Sequence, residues 1–249
     1  MHPVLLDVFG FKIYTYGFCV AAAFLTCAFL AYGYSRRTGE PFNEIADCFF
    51  WVLLSGLVGG RMLYVIVNIG YFASNPWLIP VFRDGGMAFH GSLIAGAAAG
   101  IITCRVKKLS FWKMSDVVAP YIALGHSIGR IGCYLNGCCY GRTVDNGFGV
   151  VFPGDVAARI PVQLYSSLVL ALLFLFLTSY RERKPFDGSV FLVYLLIFSL
   201  VRFLSDFLRA DNPGIFFSLT LAQVLSVGIF IVGAYFFRMR RGEAFKKVF

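Results

Sequence analysis

The chain has 249 residues, of which 59% are hydrophobic and 14% charged, with a net charge of +9. A mean hydropathy of +0.75 leaves too little polar surface for a soluble core-and-shell fold, so the composition points to a polytopic membrane protein. The positive charge does not mark a nucleic-acid binder, because the cations sit in short loops between apolar runs, where the positive-inside rule places them.

The first residues, Met1 to Lys12, lack a cationic leader, a short apolar core and a small-residue cleavage site, so no cleaved signal peptide is expected. Val4 to Phe9 reads as a short strand or surface element. Apolar runs follow at about 15–34, 47–69, 89–104, 117–135, 162–180, 188–207 and 219–237, most of them close to the roughly 20 residues that cross a hydrocarbon core of about 30 Å. The 89–104 run is short and glycine-rich. Counting Lys and Arg loop by loop puts fourteen on one side, after the odd-numbered runs and in the tail, and five on the other. That bias predicts an outer N-terminus and a cytoplasmic C-terminus, with loops 70–88, 136–161 and 208–218 forming a small outer cap. No internal repeat is present. The reading is a single membrane domain over 1–249, an all-α polytopic membrane protein with about seven transmembrane helices.

Polar residues inside these runs are the candidates for chemistry. Leu124 to Arg142 reads L-G-H-S-I-G-R-I-G-C-Y-L-N-G-C-C-Y-G-R and places His126 and Arg130 one turn apart on one helix face. An arginine at the middle of a bilayer helix costs roughly 2.5–3.5 kcal/mol on insertion scales, and such residues face a protein interior or a wet cavity. Gly129 and Gly132 leave the surface around Arg130 bare, and Asn136, Gly137 and Gly141 end the helix in a turn-prone segment. The planar fork of Arg130 suits two phosphate oxygens; the structural alternative is an ion pair with Asp116 or Asp206.

Arg61, in G-L-V-G-G-R, is either a ligand or a snorkelling cation. Asp84 to Ser92, D-G-G-M-A-F-H-G-S, presents His90, a group able to take a proton near neutral pH. Arg202, Asp206 and Arg209 fall on one stripe of the sixth run and need a polar partner or a cavity. Tyr16 opens the first run, as an interfacial belt residue or a site residue. Cys19, Cys27, Cys48 and Cys104 read as small buried hydrophobes. Cys133, Cys138 and Cys139 have C-x4-C-C spacing with no histidine at zinc-finger distance, so no metal is assigned and free thiols are the default, a disulfide staying open on an oxidising face.

The run G-R-I-G-C-Y-L-N-G-C-C-Y-G, residues 129–141, resembles the signature of the bacterial prolipoprotein diacylglyceryl transferases. The resemblance extends to His2-Pro3, to Y-x-Y-G at 14–17 and to F-H-G at 89–91. It continues in R-I-P-V-Q-L-Y-S-S at 159–167, similar to the family's H-P-x-Q-L-Y-E, and in R-F-L-S-D-F-L-R at 202–209, similar to its R-x-x-x-E-F-x-R. Ile160, Ser166 and Phe198 stand where histidine, glutamate and tyrosine are usual, Asp206 replaces a glutamate, and Cys133 stands where some members have asparagine. The resemblance implies a multi-pass enzyme of the bacterial cytoplasmic membrane. Such an enzyme takes phosphatidylglycerol and the lipobox cysteine of a prolipoprotein signal peptide, forms a thioether, releases glycerol 1-phosphate and uses no soluble cofactor. It implies that Arg130 and Arg202 grip the phosphate and makes His90 the candidate base, a water or the lipid phosphate itself being the alternatives for the thiol proton. Tyr16 serves the site, while Arg61, Asn136, Gly141, Gln163, Asp206 and Arg209 bind substrate or shape its wall. The rival readings are an anion or lipid transporter, against which the lack of inverted repeats stands, and another transferase using the phosphatidylglycerol headgroup.

Overall fold

The computed structural model describes residues 3–8, 11–81, 86–145, 147, 149–209 and 219–248. His2, Phe9, Asp84, Gly85 and most of loop 208–218 lie outside the described residues. A hairpin of β1 (Val4–Val8) and β2 (Phe11–Tyr14) leads into α1 (Thr15–Thr38). The strand expected from Val4 onward is present, and its antiparallel partner pairs Val4 with Tyr14. Then come α2 (Phe42–Val67), a short α3 (Ile69–Ser74), a single 3-10 turn at Pro76–Leu78, α4 (Phe89–Val106) and α5 (Phe111–Asn136). A two-residue ladder of β3 (Val150–Val151) and β4 (Ala158–Arg159) precedes α6 (Val162–Glu182), α7 (Ser189–Asp206) and α8 (Leu221–Val248).

Among the described residues six helices, α1, α2, α4, α6, α7 and α8, are long and apolar enough to cross a membrane. The run expected as the fourth span is α5, which has the length at 26 residues but carries Lys113, Asp116, His126 and Arg130 and contains Pro120. Its polar groups therefore need partners within the protein. Asp116 has them: its carboxylate accepts the backbone N–H groups of Gly188 (2.8 Å), Val190 (2.9 Å) and Phe191 (3.1 Å) and pairs with Lys184 at 3.1 Å. One buried acid thus satisfies the start of α7, where Gly188 adopts φ +99°.

The described chain falls into two compact units, one of residues 1–30 and 115–249, the other of residues 31–114. In the first, Ala119 and Ala123 of α5 let Leu170, Leu173 and Leu177 of α6 and Val190 and Tyr194 of α7 close into one core. Apolar contact gains little over lipid tails, so close packing and hydrogen bonds between helices decide association. Ser127 and Ser167 supply such a joint: each hydroxyl donates to the other's backbone carbonyl, at 2.8 and 2.9 Å. Tyr121 Oη donates to Leu30 O and Cys27 Sγ to Tyr121 O, both at 3.2 Å, which ties α5 to α1.

The second unit is built on a seam of small residues between α2 and α4. A Cβ on Gly59 would lie 2.7 Å from Gly91 O, and one on Gly91 would lie 2.6 Å from Leu63 Cβ. Ala88 N–H donates to Gly60 O at 2.9 Å and fixes the start of α4. Gly91→Val should therefore lower the thermal midpoint in detergent, at the cost of about 1–3 kcal/mol expected for overpacking; an unchanged midpoint would mean that the seam is not this tight.

Candidate active site

The site is assembled where α5 stops. Gly137, at φ +72°, donates its N–H to Tyr134 O and Cys138 donates to Cys133 O, both at 3.1 Å. That pair of bonds is the glycine-terminated helix stop in which the residues at the positions of Cys133 and Cys138 are brought side by side. Cys139 is itself left-handed at φ +65°, and the three Sγ atoms lie within 4.8 Å of one another. Asn136, the last helical residue, is within hydrogen-bonding reach of the Cys138 thiol. Gln163, buried at the start of α6, donates Nε2 to Cys138 O at 2.7 Å, while its Oε1 has no partner among the described residues.

Three segments then cross at Gly141. Its N–H donates to Ile160 O at 2.9 Å, Arg142 N–H donates to Leu208 O at 2.9 Å, and Gly141 bridges to Arg209. A Cβ on Gly141 would come within 2.7 Å of both Leu208 O and Val162 Cγ2, so any side chain there forces the Arg209 segment away. Gly141→Ala should cut turnover by about 10²-fold, the size of effect expected when a reacting group is misplaced by about 1 Å, with little change in helix content. Wild-type turnover in that variant would remove Gly141 from the architecture of the site. Beside it, Arg159 clamps Asp155 (2.5 and 3.1 Å) and lies 4.7 Å over the Tyr140 ring. The Arg159 hydrogen bond holds the Asp155 carboxyl below the usual carboxylate range.

The charges come from α5 and the end of α7. Asp206 is buried and faces Arg202 Nη2 at 3.2 Å and Arg209 Nε at 4.0 Å; Thr220 Oγ1 donates to its other oxygen. Thr220 is fixed by a reciprocal cap at the start of α8, in which Gln223 N–H donates to Thr220 Oγ1 (3.2 Å) and Thr220 N–H to Gln223 Oε1 (2.9 Å). Sequence reading missed this second support for Asp206, although T-x-x-Q before an apolar run is the signal for it.

Arg130 is half-buried and makes no hydrogen bond or ion pair among the described residues. Of the two acids that the sequence offered it, Asp116 holds the start of α7 and Asp206 holds Arg202 and Arg209. A Cβ on Gly129 would meet nothing within 4 Å, whereas Gly132 packs against Cys19 and Tyr16 of α1. Arg130 is close enough to act electrostatically on Arg202 and on Tyr16, whose ring is half-exposed at the start of α1. Arg202 and Arg209 thus share the Asp206 carboxylate while Arg130 adds a third positive charge nearby, and the excess positive charge suits an anion with two oxygens to offer. His126 does not join them. Its Nδ1 lies 3.2 Å from Tyr194 Oη and its ring 5.2 Å from that of Phe198, which makes it a core histidine.

Two sequence-derived candidates belong to the other unit. Arg61 is buried and directs Nε to Ile79 O (2.9 Å), Nη1 to Gly86 O (3.0 Å) and Nη2 to Leu78 O (2.7 Å), its guanidinium lying 5.2 Å from the Phe72 ring centre. It braces the segment after α3 and borders a cavity of about 410 Å³ with Tyr64, Asn68 and Tyr71. His90 is exposed in the first turn of α4, edge-on to Phe89 at 5.8 Å.

Six helices long and apolar enough to cross a membrane, with a half-buried, positively charged cluster beside thiols and a tyrosine, define an integral membrane protein. The chain belongs to the prolipoprotein diacylglyceryl transferase family, whose profile matches residues 3–239. It is 34% identical to the phosphatidylglycerol–prolipoprotein diacylglyceryl transferase of Clostridium tetani, over 97% of this chain and 98% of that one. It is 35% identical to the second such transferase of Clostridium perfringens, over 97% and 96%. To the one from Campylobacter hominis it is 33% identical, over 93% and 88%.

Proposed function

We propose that this protein transfers the diacylglyceryl group of phosphatidylglycerol to the lipobox cysteine thiol of a prolipoprotein signal peptide, forming a thioether and releasing glycerol 1-phosphate. The observation that carries the reading is Arg130, a guanidinium that makes no hydrogen bond or ion pair among the described residues and is close enough to act electrostatically on Arg202 of the Arg202–Asp206–Arg209 cluster. Arg130 and Arg202 take the phosphate oxygens, Asp206 holds Arg202 and Arg209 in place, and Tyr16 lies at the edge. Asn136, Gly141 and Gln163 set the wall by fixing the helix stop and the strand crossing. Arg61 serves by bracing its own segment. The protein sits in the bacterial cytoplasmic membrane with the N-terminus outside, as its cationic loops direct.

The thiol sulfur attacks the glyceryl carbon that bears the phosphate, the S–C bond forms, and the C–O bond breaks with its electron pair passing to the phosphate. Charge gathers on the departing phosphate, where preorganised guanidiniums in a water-poor site stabilise it more than solvent does. A free thiol has a pKa of about 8.5, so removal of its proton assists attack. His90, marked by the F-H-G motif and exposed at the start of α4, is the base assigned to that proton. His90→Gln should lower turnover by about 10²-fold or more, the usual contribution of general-base catalysis being 10²–10⁴-fold; retention of more than about a tenth of the activity would exclude that role. The activity itself is tested by incubating the purified protein with labelled phosphatidylglycerol and a lipobox peptide. Thioether peptide and released glycerol phosphate are expected. Unchanged lipid with a folded sample, or lipid moved between leaflets without cleavage, would overturn the reading.

A further inference from the structure

The C-x4-C-C trio matched no zinc-finger spacing, yet the fold gathers it by two separate devices. The helix stop at Gly137 sets Cys133 and Cys138 side by side. The left-handed backbone of Cys139 then turns the third thiol back onto them. A left-handed non-glycine residue is uncommon and persists only where the surroundings over-determine it. In a zinc–thiolate tetrahedron with Zn–S near 2.3 Å, sulfurs stand about 3.8 Å apart, and these three lie within 4.8 Å, so a small contraction would complete three corners. The surroundings fit the charge as well. Three thiolates around a dication carry one net negative charge, and Arg209 is within hydrogen-bonding reach of Cys139, with Arg202 close behind. Gln163 anchors the Cys138 carbonyl and stiffens the turn that carries two of the sulfurs.

We propose that Cys133, Cys138 and Cys139 form a three-thiolate site for zinc, whose open fourth position takes the thiol of the peptide substrate. The part concerning the substrate rests on the transferase reading above; the metal site does not. Soft thiolate ligands favour zinc among the common cations, and a site with three protein ligands and an open fourth position is the arrangement of catalytic zinc. An incoming thiol loses its proton to the general base as it binds, and stays a nucleophile at neutral pH. Its sulfur then bonds to the glyceryl carbon, the carbon–oxygen bond to phosphate breaks, and the electron pair leaves on the phosphate. The neutral thioether is a weaker ligand and gives way to water, so zinc is neither oxidised nor consumed.

The full chain, purified without a histidine tag or chelator and dialysed against zinc, should hold about one zinc per chain by elemental analysis. Cobalt in its place should give the thiolate charge-transfer absorption of a tetrahedral site. Cys133→Ser and Cys139→Ser should each lose at least nine-tenths of the metal, whereas Cys104→Ser, in the other compact unit, should keep it. A zinc-free wild-type chain after dialysis would overturn the proposal, as would recovery of the trio as a disulfide by mass spectrometry. Full transferase turnover in demonstrably zinc-free protein would overturn the catalytic part and leave the transferase reading standing. Zinc bound at the trio with no lipid turnover would do the reverse.

Discussion

Arg130→Ala should lower diacylglyceryl transfer by about 10²–10³-fold, the loss typical of removing one preorganised donor from a developing oxyanion, while helix content and the thermal midpoint stay near wild type. The asymmetry follows from the geometry. Arg130 makes no hydrogen bond or ion pair among the described residues, so its removal breaks no internal joint, and the neighbouring Gly129 already faces open space. Arg130→Lys should recover only part of the rate, because an ammonium offers no planar fork for two oxygens. Activity within a factor of two of wild type in the alanine variant would move the phosphate elsewhere, as would a matching collapse of stability. Isothermal titration with a non-hydrolysable phosphatidylglycerol analogue separates binding from chemistry in the same variant.

Asp116→Ala should have the opposite signature, a large loss of stability. Asp116 is fully buried and accepts three backbone N–H groups at the start of α7 together with Lys184. Alanine strands the three backbone donors, while Lys184 keeps Asp187 at 2.7 Å, and breaking a buried, hydrogen-bonded charge network in this way costs about 3–5 kcal/mol. Unfolding in detergent, followed by circular dichroism, should show a clearly lowered midpoint. Asp116→Asn, which keeps one acceptor oxygen for Val190 and Phe191, should fall between. Equal stability of the alanine variant and wild type would mean that α7 is capped by some other group.

The contrast between these two residues shows how much of the site was legible beforehand. Both are charged residues of α5 in an apolar setting, and the sequence allowed either acid, Asp116 or Asp206, to neutralise Arg130. Periodicity along α5 says which residues share a face, but not which neighbouring helix lies opposite. Only the packing of α5 on α6 and α7 shows that Asp116 serves a helix start and that Asp206 is shared by Arg202 and Arg209. The same holds for His126, one turn from Arg130 and thus a candidate by spacing, which Tyr194 and Phe198 enclose. Arg61, which the sequence left open between a ligand and a snorkelling cation, gives its donors to three backbone carbonyls.

The sequence by itself determined the membrane class, the seven long helices among the described residues and most of their ends, because hydropathy, turn residues and helix-stopping glycines act locally and are written in consecutive residues; α1 and α8 run on past their apolar runs, and α2 and α5 start before theirs. It also marked Arg130, Arg202, Asp206 and Arg209, since a charge in an apolar run is conspicuous wherever it ends up. The seven runs taken as alike were separated by structure into six apolar helices and a polar α5, whose charges depend on partners distant in the chain. The gathering of Cys133, Cys138 and Cys139, the pinning of Arg209 by Gly141 and the support of Asp206 by Thr220 were likewise decided only by tertiary structure. Each depends on a backbone dihedral or on contact between distant segments, and one-dimensional spacing carries no term for either.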